Sequence, residues 1–141
     1  MCPIRIERWW VRALTVLVLA GLGAPAPSPA AAAGGSRPVQ VTVRMMEYMF
    51  VPDHLSFRRR VLYRLHLVNL GKEIHEFTAP QFIAAIDLKN PEALGPYTNQ
   101  FAVDPGQTKD ILLVPRQPGH YSLICADHDW AGMTGEIVIT P

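Results

Sequence analysis

What most constrains this chain is a succession of short β-rich segments, each cut off by a turn signal, running from Val39 to Thr140. Val39–Tyr48 (VQVTVRMMEY) alternates in places and is rich in β-formers. Phe50-Val51-Pro52-Asp53 reads as a turn and Leu55–Phe57 as a short strand. Val61–Leu70 alternates cleanly, with Leu62, Arg64, His66 and Val68 against Val61, Tyr63, Leu65, Leu67 and Asn69. Ile74–Thr78, Asn99–Val103, Lys109–Val114, Tyr121–Cys125 and Gly135–Thr140 complete the set. Gly71-Lys72, Pro80, Asp104-Pro105-Gly106 and Pro118-Gly119 punctuate it. Seven or eight strands with a turn signal about every 8–12 residues predict an all-β antiparallel sandwich. One stretch has helical spacing: Gln81–Leu88, where Phe82, Ala85 and Ile86 fall at i, i+3 and i+4 before Asn90-Pro91 stops it. A short helical insertion is therefore expected around 81–88.

The first 33 residues read as an address. Arg5, Arg8 and Arg12 stand against the single Glu7, an apolar run Ala13–Gly23 follows, and Ala24–Ala33 is small and Pro/Ala-rich. Positive start, apolar middle and small-residue end make the pattern of a secretory signal. The apolar run is about half the ~20 residues needed to span a bilayer. The expected division is a signal peptide over 1–33 and one domain over 34–141, exported to the periplasm, with no stable membrane span once the signal is cleaved. Cys2 precedes the apolar run, which argues against lipid attachment at the start of a mature chain.

Removing the address changes the arithmetic. The whole chain has 13 Lys+Arg and 12 Asp+Glu. Three Arg and one Glu leave with residues 1–33, so 10 basic side chains face 11 acidic ones. A balance this near zero lacks the basic face that nucleic-acid binding requires. Cys2 leaves too, and Cys125 becomes the one cysteine. An exported protein with a single thiol forms no internal disulfide, and a thiol in an oxidising compartment is a liability unless buried or occupied.

Cys125, His128 and Met133 form C-x-x-H-x-x-x-x-M between two strand-like segments. A loop this short can turn a thiolate, an imidazole and a thioether toward one point, and these soft or borderline donors suit copper better than magnesium or calcium. A trigonal copper site needs a second histidine from elsewhere. His75 follows a Gly-containing turn and opens a short strand, which makes it the best candidate. His54 sits in the Pro-Asp turn, and His66 lies mid-strand on an outer face. His120 is at the far end of the Cys125 strand, roughly 16 Å away at about 3.3 Å per residue.

With these residues in place, the chain resembles a cupredoxin, the family of small Greek-key copper proteins that includes plastocyanin and pseudoazurin. The Cys125–His128–Met133 spacing is similar to their ligand loop. Phe50-x-Pro52, Tyr63-Arg64-Leu65, Asn69-x-Gly71-Lys72 and His75-Glu76-Phe77 resemble small exported bacterial cupredoxins that handle copper. The resemblance spans about 39–141. It implies a Greek-key β-sandwich holding one copper per chain, with His75, Cys125 and His128 in a trigonal plane and Met133 as a long axial ligand. One departure is Glu76, where plastocyanin-like proteins place Asn, whose backbone amide helps fix the thiolate. The backbone donor survives this change, but a carboxylate close to the ion favours Cu(II) and lowers the potential. The segment 81–96 is also longer than in a minimal cupredoxin.

Other signals have plainer readings. Met45, Met46 and Met49 are expected to pack in the core rather than form a methionine copper site. Arg58-Arg59-Arg60 reads as a solvated turn, and Trp130 as packing around the ligand loop. A copper held by fixed ligands points to an electron carrier with a redox or copper-donor protein as partner. The alternative is copper homeostasis, by sequestration or delivery. An enzyme is not expected: H-x-H, G-x-S-x-G and H-E-x-x-H are all absent, and an oxidase-type dinuclear site needs two cysteines.

Overall fold

The computed structural model describes residues 37–141. The expected signal peptide, 1–33, lies outside the described residues. Ten strands follow in order: β1 (Val39–Met46), β2 (Met49–Val51), β3 (His54–Arg58), β4 (Tyr63–Asn69), β5 (His75–Thr78), β6 (Ile86–Leu88), β7 (Gln100–Val103), β8 (Thr108–Pro115), β9 (Gly119–Ile124) and β10 (Thr134–Thr140). A helix, α1 (Pro80–Ala84), lies between β5 and β6. The strands form two five-stranded sheets, ordered β2-β1-β4-β8-β6 and β3-β10-β9-β5-β7. Neighbours in the sheets are seldom neighbours in sequence, the crossed-over order of Greek-key connections.

Alternation sets the faces. In β4, Tyr63, Leu65, Leu67 and Asn69 are buried while the residues between them are not, the period-2 split that the sequence predicts. Val43, Met45, Ile111 and Leu113 join them from the same sheet. Phe57, Phe77, Phe101, Leu123, Ile137 and Ile139 close the core from the other. Phe77 is at its centre, with ring centroids 6.2, 6.4 and 6.3 Å from Phe50, Phe82 and Phe101. Each such buried ring stabilises the fold by about 1.5–3 kcal/mol relative to leaving it in water.

The structure departs from the sequence reading in three respects. Two strand pairs are parallel, β1 with β4 and β3 with β10, because the chain crosses between sheets over the two residues that separate β2 from β3. The strand count is ten because β2 and β6 are only three residues long, too short for a period to register. The helix stops at Ala84 instead of Leu88. Phe82 and Ala85 are buried on its inner face, but Ile86–Leu88 pairs with the edge of β8, Ile86 opposite Pro115 and Leu88 opposite Leu113. Sheet hydrogen bonds there outweigh the helical spacing. The Arg58–Arg60 segment is a surface turn as expected, with Arg60 at φ 64° and its N–H donating to the Pro115 carbonyl at 2.9 Å. Among the described residues, no helix is long and apolar enough to cross a membrane.

Strands β5 and β9 pair antiparallel, Thr78 opposite Ile124. The start of β5 and the residue following β9 therefore lie at the same end of the sandwich.

Candidate metal centre

That end brings His75 and Cys125 together. His75 opens β5, Cys125 follows β9, and both are fully buried. The Sγ of Cys125 lies 3.8 Å from Nδ1 of His75 and 3.3 Å from Nδ1 of His128. One donor atom from each of the three lies within 4.8 Å of the other two. Among the described residues, this is the one such group of three or more His, Cys, Asp or Glu side chains.

The β9–β10 loop is held by its own backbone. The N–H of His128 donates to the Cys125 carbonyl at 3.1 Å, and that of Met133 to the His128 carbonyl at 3.3 Å. The N–H of Cys125 donates back to the Met133 carbonyl at 3.0 Å. Asp129–Ala131 makes a short 3₁₀ turn, and Gly132 follows at φ 87°, a left-handed conformation that glycine adopts without strain. Met133 comes out of this turn fully buried beside Cys125 in the backbone ladder.

The β4–β5 loop is organised by Asn69. Its side-chain amide donates to the carbonyls of Glu73 and Val103 at 2.7 and 2.8 Å, and its oxygen accepts the Gly71 N–H at 2.9 Å. Gly71 is required where it stands. A Cβ there would lie 2.7 Å from Nε2 of His75.

Three glutamates surround the cluster. The backbone N–H of Glu76 points at the Cys125 sulfur at 3.4 Å, so the donor expected from the sequence is kept. Its side chain is buried, and the Cys125 thiol lies 3.0 Å from its Oε2. Glu73 accepts from Nε2 of His128 at 2.7 Å. Glu47, at the turn between β1 and β2, accepts the Lys72 N–H at 2.5 Å. Burial first, then the Glu76 carboxylate, pushes the Cys125 thiol up to about 11. Burial, reinforced by His128, pushes His75 below its ordinary value, with Glu47, Glu76 and Glu73 opposing. Without an ion, the site is a neutral thiol beside a neutral His75 imidazole.

The other histidines stay apart, each on a carboxylate. Nδ1 of His54 is 2.9 Å from Asp53, that of His66 is 2.7 Å from Asp110, and that of His120 is 2.6 Å from Glu136. Two expectations need correction. Core packing holds for Met45, which is fully buried, but Met49 is half exposed, because it flanks the β1–β2 turn on the outward face. Trp130 is 76% exposed and is not packed under the loop. Its indole N–H donates to the Asp127 carbonyl at 2.8 Å, and its ring lies 5.8 Å from Tyr48, which in turn lies 5.2 Å from His128. Glu47 and Glu73 carry no signal in the sequence, where both read as ordinary surface acids.

A buried cluster of one thiol and two imidazoles, with a buried thioether five residues after His128, fits a soft or borderline ion. It lacks the oxygen cage that a hard cation requires.

No family model matches the chain, and no curated protein does. Solved structures do. Auracyanin B is 24% identical, with 75% of this chain and 92% of that one covered and a TM-score of 0.55. A dithionite-reduced auracyanin from Roseiflexus castenholzii is 18% identical, with 75% and 100% covered and a TM-score of 0.56. A multicopper oxidase from Campylobacter jejuni is 12% identical with a TM-score of 0.57, but the chain matches only 31% of it. These likenesses establish the fold, that of the cupredoxins.

Proposed function

We propose that this chain is an exported, single-copper electron carrier in which His75, Cys125 and His128 would hold the ion and Met133 would offer a fourth, thioether donor. The observation that carries this reading is the convergence of three buried donor atoms within 4.8 Å. They come from β5 and the β9–β10 loop, and a buried thioether follows them. Copper bound there supplies a one-electron couple with a thiolate-to-metal absorption band. The protein's part is to hold the donors still. His75 is fixed by the strand it opens, Cys125 by the Glu76 N–H and its own ladder, and His128 by Glu73. Ligands already in place need little rearrangement between two oxidation states.

The fold shared with the auracyanins supports this reading, one of which is described as a "blue" copper protein. The signal pattern over 1–33 supports export to the periplasm. A protein partner fits the ligand end, where Tyr48, Met49, Leu70, Ile74 and Trp130 are large, apolar and exposed.

The mature protein loaded with Cu(II) is expected to show the intense thiolate charge-transfer band and to cycle reversibly, and Cys125→Ser to lose the band. A protein that takes zinc but shows no such band with copper refutes the reading. One observation favours a second role, copper sequestration or delivery: the buried Glu76 carboxylate beside the sulfur favours the divalent ion. Ready exchange of copper with a chelator, together with a low potential, would select that role.

A further inference from the structure

We propose that Glu73 and Glu47 are the positioning carboxylates of the site, one for each histidine: Glu73 holds His128, and Glu47 accepts the outward N–H of His75 once an ion is bound. The inference rests on the copper reading and concerns residues outside its ligand set.

The His128 half is already formed. Its Nε2 is 2.7 Å from Oε2 of Glu73, which accepts only if that nitrogen carries the proton. In a neutral ring the lone pair is then left on Nδ1, the atom 3.3 Å from the Cys125 sulfur. The tautomer needed for ligation is set before any ion arrives. The Glu73 side chain is 56% exposed while that of His128 is 8% exposed, so the carboxylate meets water and the ring it holds does not.

The His75 half is poised. Nδ1 of His75 faces the sulfur, so a ligating ring must carry its proton on Nε2. That Nε2 is the one buried side-chain nitrogen or oxygen among the described residues with no hydrogen-bond partner. It looks into the gap left by Gly71. The point where a Gly71 Cβ would sit is 2.7 Å from Nε2 of His75 and 3.0 Å from Oε1 of Glu47. An orphaned donor and a carboxylate thus approach one point that is too tight for a methyl, with the Asn69 Oδ1 3.2 Å from it. Glu47 is kept there by the Lys72 N–H and by its place at the tip of the β1–β2 turn.

Both carboxylates sit behind the histidines, on the far side from the ion. Their charge raises the basicity of the rings and favours the more highly charged ion, so the affinity ratio of Cu(II) to Cu(I) rises with each of them.

The test uses the full mature protein and the variants Glu73→Gln and Glu47→Gln, with Glu92→Gln, at an exposed position of the 3₁₀ turn Pro91–Leu94, as control. Imidazole tautomers are read by nitrogen-15 NMR in the metal-free and Zn(II)-loaded forms. Cu(II) and Cu(I) affinities come from chelator competition. His128 is expected as the Nε2–H tautomer in the wild type and as a mixture in Glu73→Gln. The Nε2–H of His75 in the Zn(II) form is expected to exchange faster with solvent in Glu47→Gln. Each variant should lose about 10–100-fold in Cu(II) affinity and less in Cu(I) affinity, and its potential should rise by about 59 mV for each tenfold fall in their ratio. Unchanged tautomers, exchange and affinity ratio in both variants overturn the proposal. Should the wild type fail to bind copper, the copper reading falls by itself, and the metal-free tautomers and Zn(II) affinities still decide the role of the two glutamates.

Discussion

Loading the site should expel one proton, and that proton should come from Cys125. The sulfur is fully buried and beside a carboxylate, and its thiol is pushed up to about 11. At about pH 7 only about one molecule in 10⁴ then carries the thiolate that a metal requires. Four units at about 1.36 kcal/mol each make deprotonation cost roughly 5 kcal/mol of the intrinsic affinity. A thiol at the ordinary 9.0 would cost only about half of that. His75 adds no second proton, because burial holds it below its usual value and hence neutral. Affinity should therefore climb about tenfold per pH unit from about pH 7 to about pH 10 and level off near the thiol's own titration. Chelator competition across that range measures the slope, and calorimetry in buffers of different ionisation enthalpy counts the protons. A flat profile refutes the reasoning by showing the thiol already ionised. Two protons per ion refute the assignment of Cys125 as the single source.

Two substitutions test the scaffold. Gly71→Ala puts a methyl 2.7 Å from Nε2 of His75, and should lower copper affinity tenfold or more, about 1.4 kcal/mol, in the same competition assay; unchanged binding would mean that His75 does not lie against this loop. Phe77→Ala removes a fully buried ring among Phe50, Phe82 and Phe101, and should destabilise the metal-free protein by about 3–5 kcal/mol, read from the urea midpoint at unchanged slope.

Legibility followed range along the chain. Cys125, His128 and Met133 share one loop, so their spacing alone announced a soft-donor site. His75 required a resemblance and an elimination, and the three rejected histidines do lie apart, each on its own carboxylate. Strand positions were legible because β4 alternates strictly and turn residues bound the other segments. Their pairing was not, since the parallel partners of β1 and β3 depend on where the chain changes sheets. Ile86 fitted a helix by period and a strand by shape, and the open edge of β8 decided between them. Glu47 and Glu73 were invisible for a different reason. A surface glutamate acquires a role here only when two distant turns meet, and that meeting depends on Asn69 drawing the β4–β5 loop together.

His75 and Cys125 stand fifty residues apart in the chain, and only the assembled sheets bring them within reach of one ion. An unfolded chain offers the same side chains but not their convergence, so occupancy discriminates between folded and unfolded molecules. Free ion at about a thousand times its dissociation constant would shift that balance by about 4 kcal/mol toward the folded form. Filled copies would consequently outlast empty ones wherever proteases patrol, and the supply of metal would set how much of this protein persists.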